Sequence, residues 1–215
     1  MLFLFGAPGV GKGTQAELLI AKYNFKKFSM GDVLREEVAL ESPVGKSVEE
    51  FLENGILAPD NIVFEIVEDY VLENLEHHIL FDGFPRNLNQ ALELEKLLAR
   101  HNKKIGIAIE LQLPQEEIVK RTLARAYCSR CGAVYNEMTS PSKFPNICDN
   151  CGSILVKRKD DNLEVITNRL KIYEKMTRPL SEYYKSLGVY VPVDASGSKE
   201  DVLQRIVQVI DGIIK

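Results

Sequence analysis

The sequence predicts an α/β protein built on a parallel sheet covered by helices on both faces. Three observations support that class. Short apolar runs alternate with amphipathic helical stretches along the chain, the pattern of βαβ units. The N-terminus passes from an apolar run through a glycine-rich turn into a helix. Two segments, 29–58 and 124–161, break the alternation with sequence of a different character.

Composition sets the outer limits. A chain of 215 residues can bury a full core and suggests one domain, or one domain carrying insertions. The net charge of −4 gives no general pull toward nucleic acid or an anionic membrane, so phosphate chemistry must depend on a local basic cluster. No apolar run approaches the roughly eighteen residues of a membrane helix. The apolar start lacks the basic flank of a signal peptide, so a cytoplasmic protein is expected. His77, His78 and His101 show neither metal-ligand nor triad spacing and read as exposed polar residues.

Strands are expected at 2–5, near 27–28, and at 79–81, 105–111 and 189–193. The first leads into Gly6-Ala7-Pro8-Gly9-Val10-Gly11-Lys12-Gly13-Thr14. Glycines there let backbone N–H groups turn toward an anion, and the helix that follows adds its positive N-terminal end. Lys12 is placed to reach the outer phosphates of a nucleoside triphosphate, as in a P-loop. The strict pattern has Ser or Thr directly after the lysine; here that position is Gly13, with Thr14 next.

Three helical stripes read as core faces. Ile62, Val63, Ile66, Val67, Tyr70, Val71 and Leu75 form the first. Leu88, Ala91, Leu92 and Leu98, interrupted by Glu95, form the second. Val202, Ile206, Val209 and Ile213 form the third. Pro114-Gln115-Glu116-Glu117 opens a further helix, with proline near its first turn and acids matching its dipole. Segment 29–58 reads as a mostly helical insertion.

Segment 124–161 has no helical period and holds all four cysteines: Cys128-x-x-Cys131, sixteen residues, then Cys148-x-x-Cys151. Each pair makes a tight turn that presents two thiolates, and four thiolates complete a closed, structural zinc site. Gly132 and Gly152 follow each pair where such turns need a permissive backbone. A metal replaces the core that a lobe of about 38 residues cannot build. Two disulfides or four free thiols are the alternatives, both less suited to a chain without a signal peptide.

Asp82-Gly83-Phe84-Pro85-Arg86 directly follows a strand, at the sheet end where ligands bind. Asp82 can hold magnesium through water, and Arg86 can meet a phosphate in bidentate fashion. Arg121 and Arg125 are four apart on one expected helix face, where like charges repel. Glu117 can pair with Arg121; no partner is evident for Arg125. Arg35, Arg158 and Arg169 add to the set. Together with Lys12 this exceeds what one triphosphate needs and suits two phosphorylated substrates meeting head to head.

In combination these residues resemble the adenylate kinase family along almost the whole chain. The resemblance rests on GAPGVGKGT at 6–14, GDVLR at 31–35, DGFPR at 82–86, Gln90, Arg121 and Arg125, RKDD at 158–161, Arg169 and MTRPL at 176–180. It implies a five-stranded parallel core (1–28, 59–123 and 162–215), an AMP-binding insertion at 29–58 and a zinc-bearing lid at 124–161. The implied reaction transfers the γ-phosphoryl group of MgATP reversibly to AMP, giving two ADP.

By position, ATP falls to Gly9, Val10, Gly11, Lys12, Gly13, Thr14 and Arg125, with Val134, Tyr135 and Gly197 near its adenine. AMP falls to Met30, Arg35, Ile56, Leu57, Ala58, Gly83, Phe84, Pro85, Arg86 and Gln90, with Arg158 and Arg169 bridging toward its phosphate. The charge-stabilising set is Lys12, Arg86, Arg121, Arg125, Arg158 and Arg169. Two positions depart from the family's usual pattern: Met30 stands where a threonine hydroxyl is common, and Ala195 where glycine is. The first leaves room for a looser monophosphate preference. A UMP/CMP-type kinase is the nearest alternative, though such kinases have a short lid. A zinc-ribbon nucleic-acid-binding protein on an inactive nucleotide fold is a distant one. No nucleic-acid or membrane partner is expected, and the chain is expected to be a monomer.

Overall fold

A computed structural model describes residues 1–214; Lys215, the end of the expected core segment, lies outside the described residues. In chain order the strands are β1 (Leu2–Gly6), β2 (Lys26–Ser29), β3 (Ile79–Asp82), β4 (Ile107–Gln112), β5 (Arg125–Cys128), β6 (Val134–Asn136), β7 (Leu155–Val156) and β8 (Tyr190–Asp194). The helices are α1 (Lys12–Tyr23), α2 (Met30–Ala39), α3 (Pro43–Glu53), α4 (Asp60–Glu73), α5 (Leu88–Arg100), α6 (Gln115–Leu123), α7 (Leu163–Ile172), α8 (Leu180–Ser186) and α9 (Lys199–Ile214). A π-helical turn, Tyr173–Thr177, joins α7 to the segment before α8.

Five parallel strands form the central sheet in the order β2-β3-β1-β4-β8. The chain leaves β1 toward one edge and leaves β3 toward the other. The winding therefore reverses beside β1 and β3, where open α/β sheets bind ligands. The glycine-rich turn follows β1 and Asp82 ends β3, so both meet at that crevice.

The apolar run of β1 is continuous because both of its faces are buried. Phe3 and Phe5 enter a core with Phe28, Phe81, Phe84 and Tyr184, under α4, α5 and α8. Leu2 and Leu4 enter the opposite core with Ile107, Ile109 and the inner faces of α1 and α9. Phe3 stacks on Phe81 at 5.0 Å, which fixes the register of adjacent strands.

Several expectations shift in detail. β4 begins at Ile107 rather than 105, because its pairing starts where β1 starts, Leu2 opposite Ile107. The α5 stripe is rotated. Ala91, Leu94, Leu97 and Leu98 are buried, while Leu88 and Leu92 lie on the exposed flank. Asn87 caps this helix by accepting from the Gln90 N–H at 2.8 Å. On α9 the buried series runs Val202, Ile206, Ile210, and Ile213, one turn further, is exposed where the helix outruns the core.

Residues 124–161 form a separate three-stranded antiparallel sheet, β6-β5-β7. Its packed interior is small: Ala126, Cys128, Cys148 and Leu155. Residues 29–58 hold α2 and α3, packed so closely that a Cβ at Gly45 would lie 2.1 Å from the Glu37 carbonyl.

Candidate active site

The turn after β1 is shaped by contact as much as by flexibility. Gly9 has φ +85°, and a Cβ there would lie 2.0 Å from Thr122 Oγ1, so only glycine fits. Lys12 Nζ donates back to the carbonyls of Gly6 at 2.9 Å and Ala7 at 3.0 Å. Burial brings the Lys12 ammonium down to about 8, with Asp82 opposing and Arg86, Arg125 and Arg169 reinforcing. Burial pushes the Asp82 carboxyl up, against the pull of Lys12 and Lys27. A Cβ at Gly13 would lie 3.4 Å from Asp82 Oδ2, so the carboxylate occupies the flank where a P-loop serine or threonine would stand.

This turn opens into a cleft of about 1310 Å³ bounded by the sheet ends, residues 29–58 and the small antiparallel sheet. Every nucleotide-contact residue expected from the sequence lines it, from Gly9 to Gly197. Nine basic side chains line it: the expected Lys12, Arg35, Arg86, Arg121, Arg125, Arg158 and Arg169, with Lys27 and Lys199 besides. Their mutual repulsion leaves a mark. Burial, reinforced by Arg169 and Arg35, lowers Arg86 to about 10; burial with Arg35 and Arg125 does the same for Arg158.

Most of these guanidinium groups rest on local acceptors. Arg86 Nε donates to Gly83 O at 2.8 Å, and Arg121 Nη1 to Ala195 O at 3.1 Å. Arg125 makes a two-pronged pair with Asp161, Arg169 pairs with Asp160, and Arg35 with Asp32. Arg158 lies 5.5 Å from the Tyr127 ring centre, and its buried Nε has no acceptor. A buried, unsatisfied donor in a basic cleft suits an anion.

The family model for adenylate kinase matches residues 4–189. Adenylate kinases similar over nearly full length come from Archaeoglobus fulgidus (40% identical, 99% of this chain and 98% of the relative), Thermodesulfovibrio yellowstonii (38%, 98% of each) and Caldanaerobacter subterraneus (39%, 97% and 95%). This chain belongs to the adenylate kinase family. Its activity is that of an ATP:AMP phosphotransferase, with MgATP as phosphoryl donor. Among the described residues of the kinase, no helix is long and apolar enough to cross a membrane.

The four cysteines gather as their spacing requires. All four sulfurs lie within 4.8 Å of one another, the nearest pairs being Cys128–Cys151 at 3.4 Å and Cys131–Cys148 at 3.5 Å. A tetrahedral thiolate site with metal–sulfur bonds of ~2.3 Å has sulfurs about 3.8 Å apart, so the donor set fits one ion. The cysteines are free, and these separations exceed a disulfide bond. Gly132 and Gly152 take φ +74° and +72°, as the knuckle turns require.

One expectation is corrected. Arg125 does not share a helix face with Arg121, because α6 ends at Leu123 and Arg125 begins β5. The two arginines therefore sit on different elements rather than on neighbouring turns of one helix, and Arg125 has the partner it lacked in sequence, Asp161. Arg121 does meet Glu117, at 3.4 Å. Ala195 is fully buried and contributes its carbonyl to Arg121. Sequence reading missed Asp32, Asp160 and Asp161 as partners of the arginines. A local signal was present only for Asp32, which shares the GDVLR motif with Arg35; Asp160 and Asp161 pair with arginines outside RKDD, 9 and 36 residues away.

Proposed function

We propose that the cleft binds both substrates of the reaction at once, ATP on the glycine-rich turn and AMP against residues 29–58. The convergence of nine basic side chains and Asp82 carries this reading. Residues 9–14 and Lys12 would take the ATP phosphates, and Arg125 would exchange its carboxylate partner for them. Val134, Tyr135 and the backbone at Gly197 would flank the ATP adenine. Arg35, Arg86 and Arg169 would hold the AMP phosphate, with Arg158 bridging. Ile56, Leu57, Ala58, Met30, Gly83, Phe84, Pro85 and Gln90 would enclose the rest of AMP.

The chemistry then needs no protein nucleophile. The AMP phosphate oxygen attacks the γ-phosphorus in line with the departing ADP oxygen, and the charge spread over the equatorial oxygens is met by Lys12 and the arginines. Asp82 would hold, through water, the magnesium ion that neutralises the β- and γ-phosphates. Closure of residues 29–58 and 124–161 over the substrates excludes water, which competes as phosphoryl acceptor. This assigns three parts to the chain: a core at 1–28, 59–123 and 162–215, an AMP-binding insertion at 29–58 and a lid at 124–161. In the lid, the donor set of Cys128, Cys131, Cys148 and Cys151 favours zinc in a structural role. The enzyme acts in the cytoplasm as a monomer.

Steady-state rates with ATP and a panel of AMP, CMP, UMP and GMP test the acceptor assignment. AMP should turn over fastest. Faster turnover with CMP or UMP would overturn it.

A further inference from the structure

The AMP end of the cleft contains a polar arrangement that phosphate binding does not explain. Gln90 is almost fully buried yet lines the cleft, whereas Asp60, at the start of α4, stands behind it and does not. The Asp60 carboxylate gathers three side-chain amides. Oδ1 accepts from Gln90 Nε2 at 2.7 Å and Asn87 Nδ2 at 2.9 Å, and Oδ2 accepts from Asn89 Nδ2 at 2.9 Å. Burial pushes the Asp60 carboxyl up, but the amide donors, Asn89 first, outweigh it and hold it below the usual range. Ionised, it accepts only.

The other end of the Gln90 amide is fixed as well. Its Oε1 accepts from the Arg86 backbone N–H at 2.7 Å. A carboxylate on one side and an N–H on the other permit only one orientation. Flipping the amide would set oxygen against carboxylate and NH₂ against N–H. What remains free is one N–H and one oxygen lone pair, in a fixed left-to-right order. Met30, buried and lining the same end, offers no hydrogen-bond group to a base.

We propose that Asp60 is a positioning residue that sets base preference in the AMP site by locking the Gln90 carboxamide in one orientation. The proposal rests on the reading that Gln90 faces the AMP base. A 6-aminopurine presents a donor beside the acceptor N1; a 6-oxopurine presents an acceptor beside the donor N1–H. An amide free to flip serves either edge, and a locked amide serves one. In an enzyme that uses AMP, the lock favours the amino form and turns a 6-oxopurine into two opposed hydrogen-bonding pairs.

The test compares kcat/KM for AMP and IMP, which differ at this edge alone. In Asp60→Ala, which leaves the Arg86 N–H alone to orient the amide, the AMP-over-IMP ratio should fall by about three- to tenfold, the worth of the one hydrogen bond removed, while KM for ATP holds. Asp60→Asn, which keeps an oxygen for Gln90, should restore the ratio. Equal losses for the two nucleotides would reduce Asp60 to a structural role and overturn the proposal. An unchanged ratio in Asp60→Ala, with a lowered ratio in Gln90→Ala, would overturn the lock and leave Gln90 as the base reader. An unchanged ratio in Gln90→Ala would remove the reading beneath it. If Asp60→Ala fails to fold, Asp60→Ser, whose shorter oxygen suits a helix first turn, makes the same comparison.

Discussion

Burial, reinforced by three neighbouring arginines and opposed by Asp82, brings the Lys12 ammonium down to about 8 even though two loop carbonyls accept from it. In the free enzyme it therefore loses its proton as the pH rises past about 8. A bound triphosphate favours the charged form and raises the pKa again. ATP binding near that pH should therefore take up protons, and affinity for ATP should fall as the pH rises further. Calorimetric titration of ATP at pH 8, in two buffers of different ionisation enthalpy, measures the uptake directly. Equal heats in both buffers, with affinity flat from about pH 7 to 9, would show that Lys12 remains fully charged in the free enzyme. Asp82 belongs to the same balance. Its carboxylate is the counter-charge that holds Lys12 up, and Lys12 in turn pulls Asp82 down, so the charge of each depends on the other before any substrate enters.

At the scale of elements, Glu110 joins four pieces of the fold from the middle of the sheet. Its carboxylate accepts from Tyr173 at 2.7 Å, Tyr190 at 2.5 Å, and Ser181 and Gln112 at 3.1 Å, tying β4 to the π-helical turn, α8 and β8. Thr177, at the other end of that turn, donates to the Arg86 carbonyl at 2.6 Å, so the network extends to the cleft wall. Burial pushes the Glu110 carboxyl up, but these donors, led by Tyr190, hold it below its ordinary range. A carboxylate depressed in the folded state contributes stability above its unfolded pKa and loses it as pH falls through the folded value. Glu110→Gln should cost about 1–3 kcal/mol at neutral pH, with a smaller difference from the parent near pH 4. Urea unfolding of both proteins at the two pH values decides it; an equal gap at both would exclude the charged acceptor. The network was not legible in the sequence, because Tyr173, Ser181 and Tyr190 lie 63 to 80 residues away and nothing in β4 marks Glu110 from an exposed acid. The strands were legible for the opposite reason. A run such as Leu2 to Phe5 is apolar on both faces and needs no distant partner to be recognised. The phosphate-site residues were legible too, since their spacing within short motifs carries the chemistry. The phase of α5 and the fate of Arg125 depended on where a cap or a helix end fell, which local pattern leaves open by a residue or two.

Across the whole molecule, the central sheet has two extensive cores, whereas the small antiparallel sheet packs Ala126 and Leu155 around two of its own cysteines. A lobe with so little apolar interior depends on whatever its sulfurs bind. Metal analysis should find one zinc per chain, held by the four cysteines. Stripping it with a chelator should loosen residues 124–161 while the central sheet stays intact, because neither large core draws on that segment. Amide exchange should accelerate across β5, β6 and β7 and stay slow in β1, β3 and β4. Turnover should fall through loss of closure, since Arg125 begins β5 and Arg158 follows β7, on either side of the metal cluster. The fall should therefore be steep with temperature and slight where the lobe remains folded. Unchanged exchange in the metal-free lobe would show that the thiolates do not hold it together. Loss of turnover at temperatures where the lobe stays folded would instead give the metal a part in the reaction, which a site closed by four protein ligands does not allow.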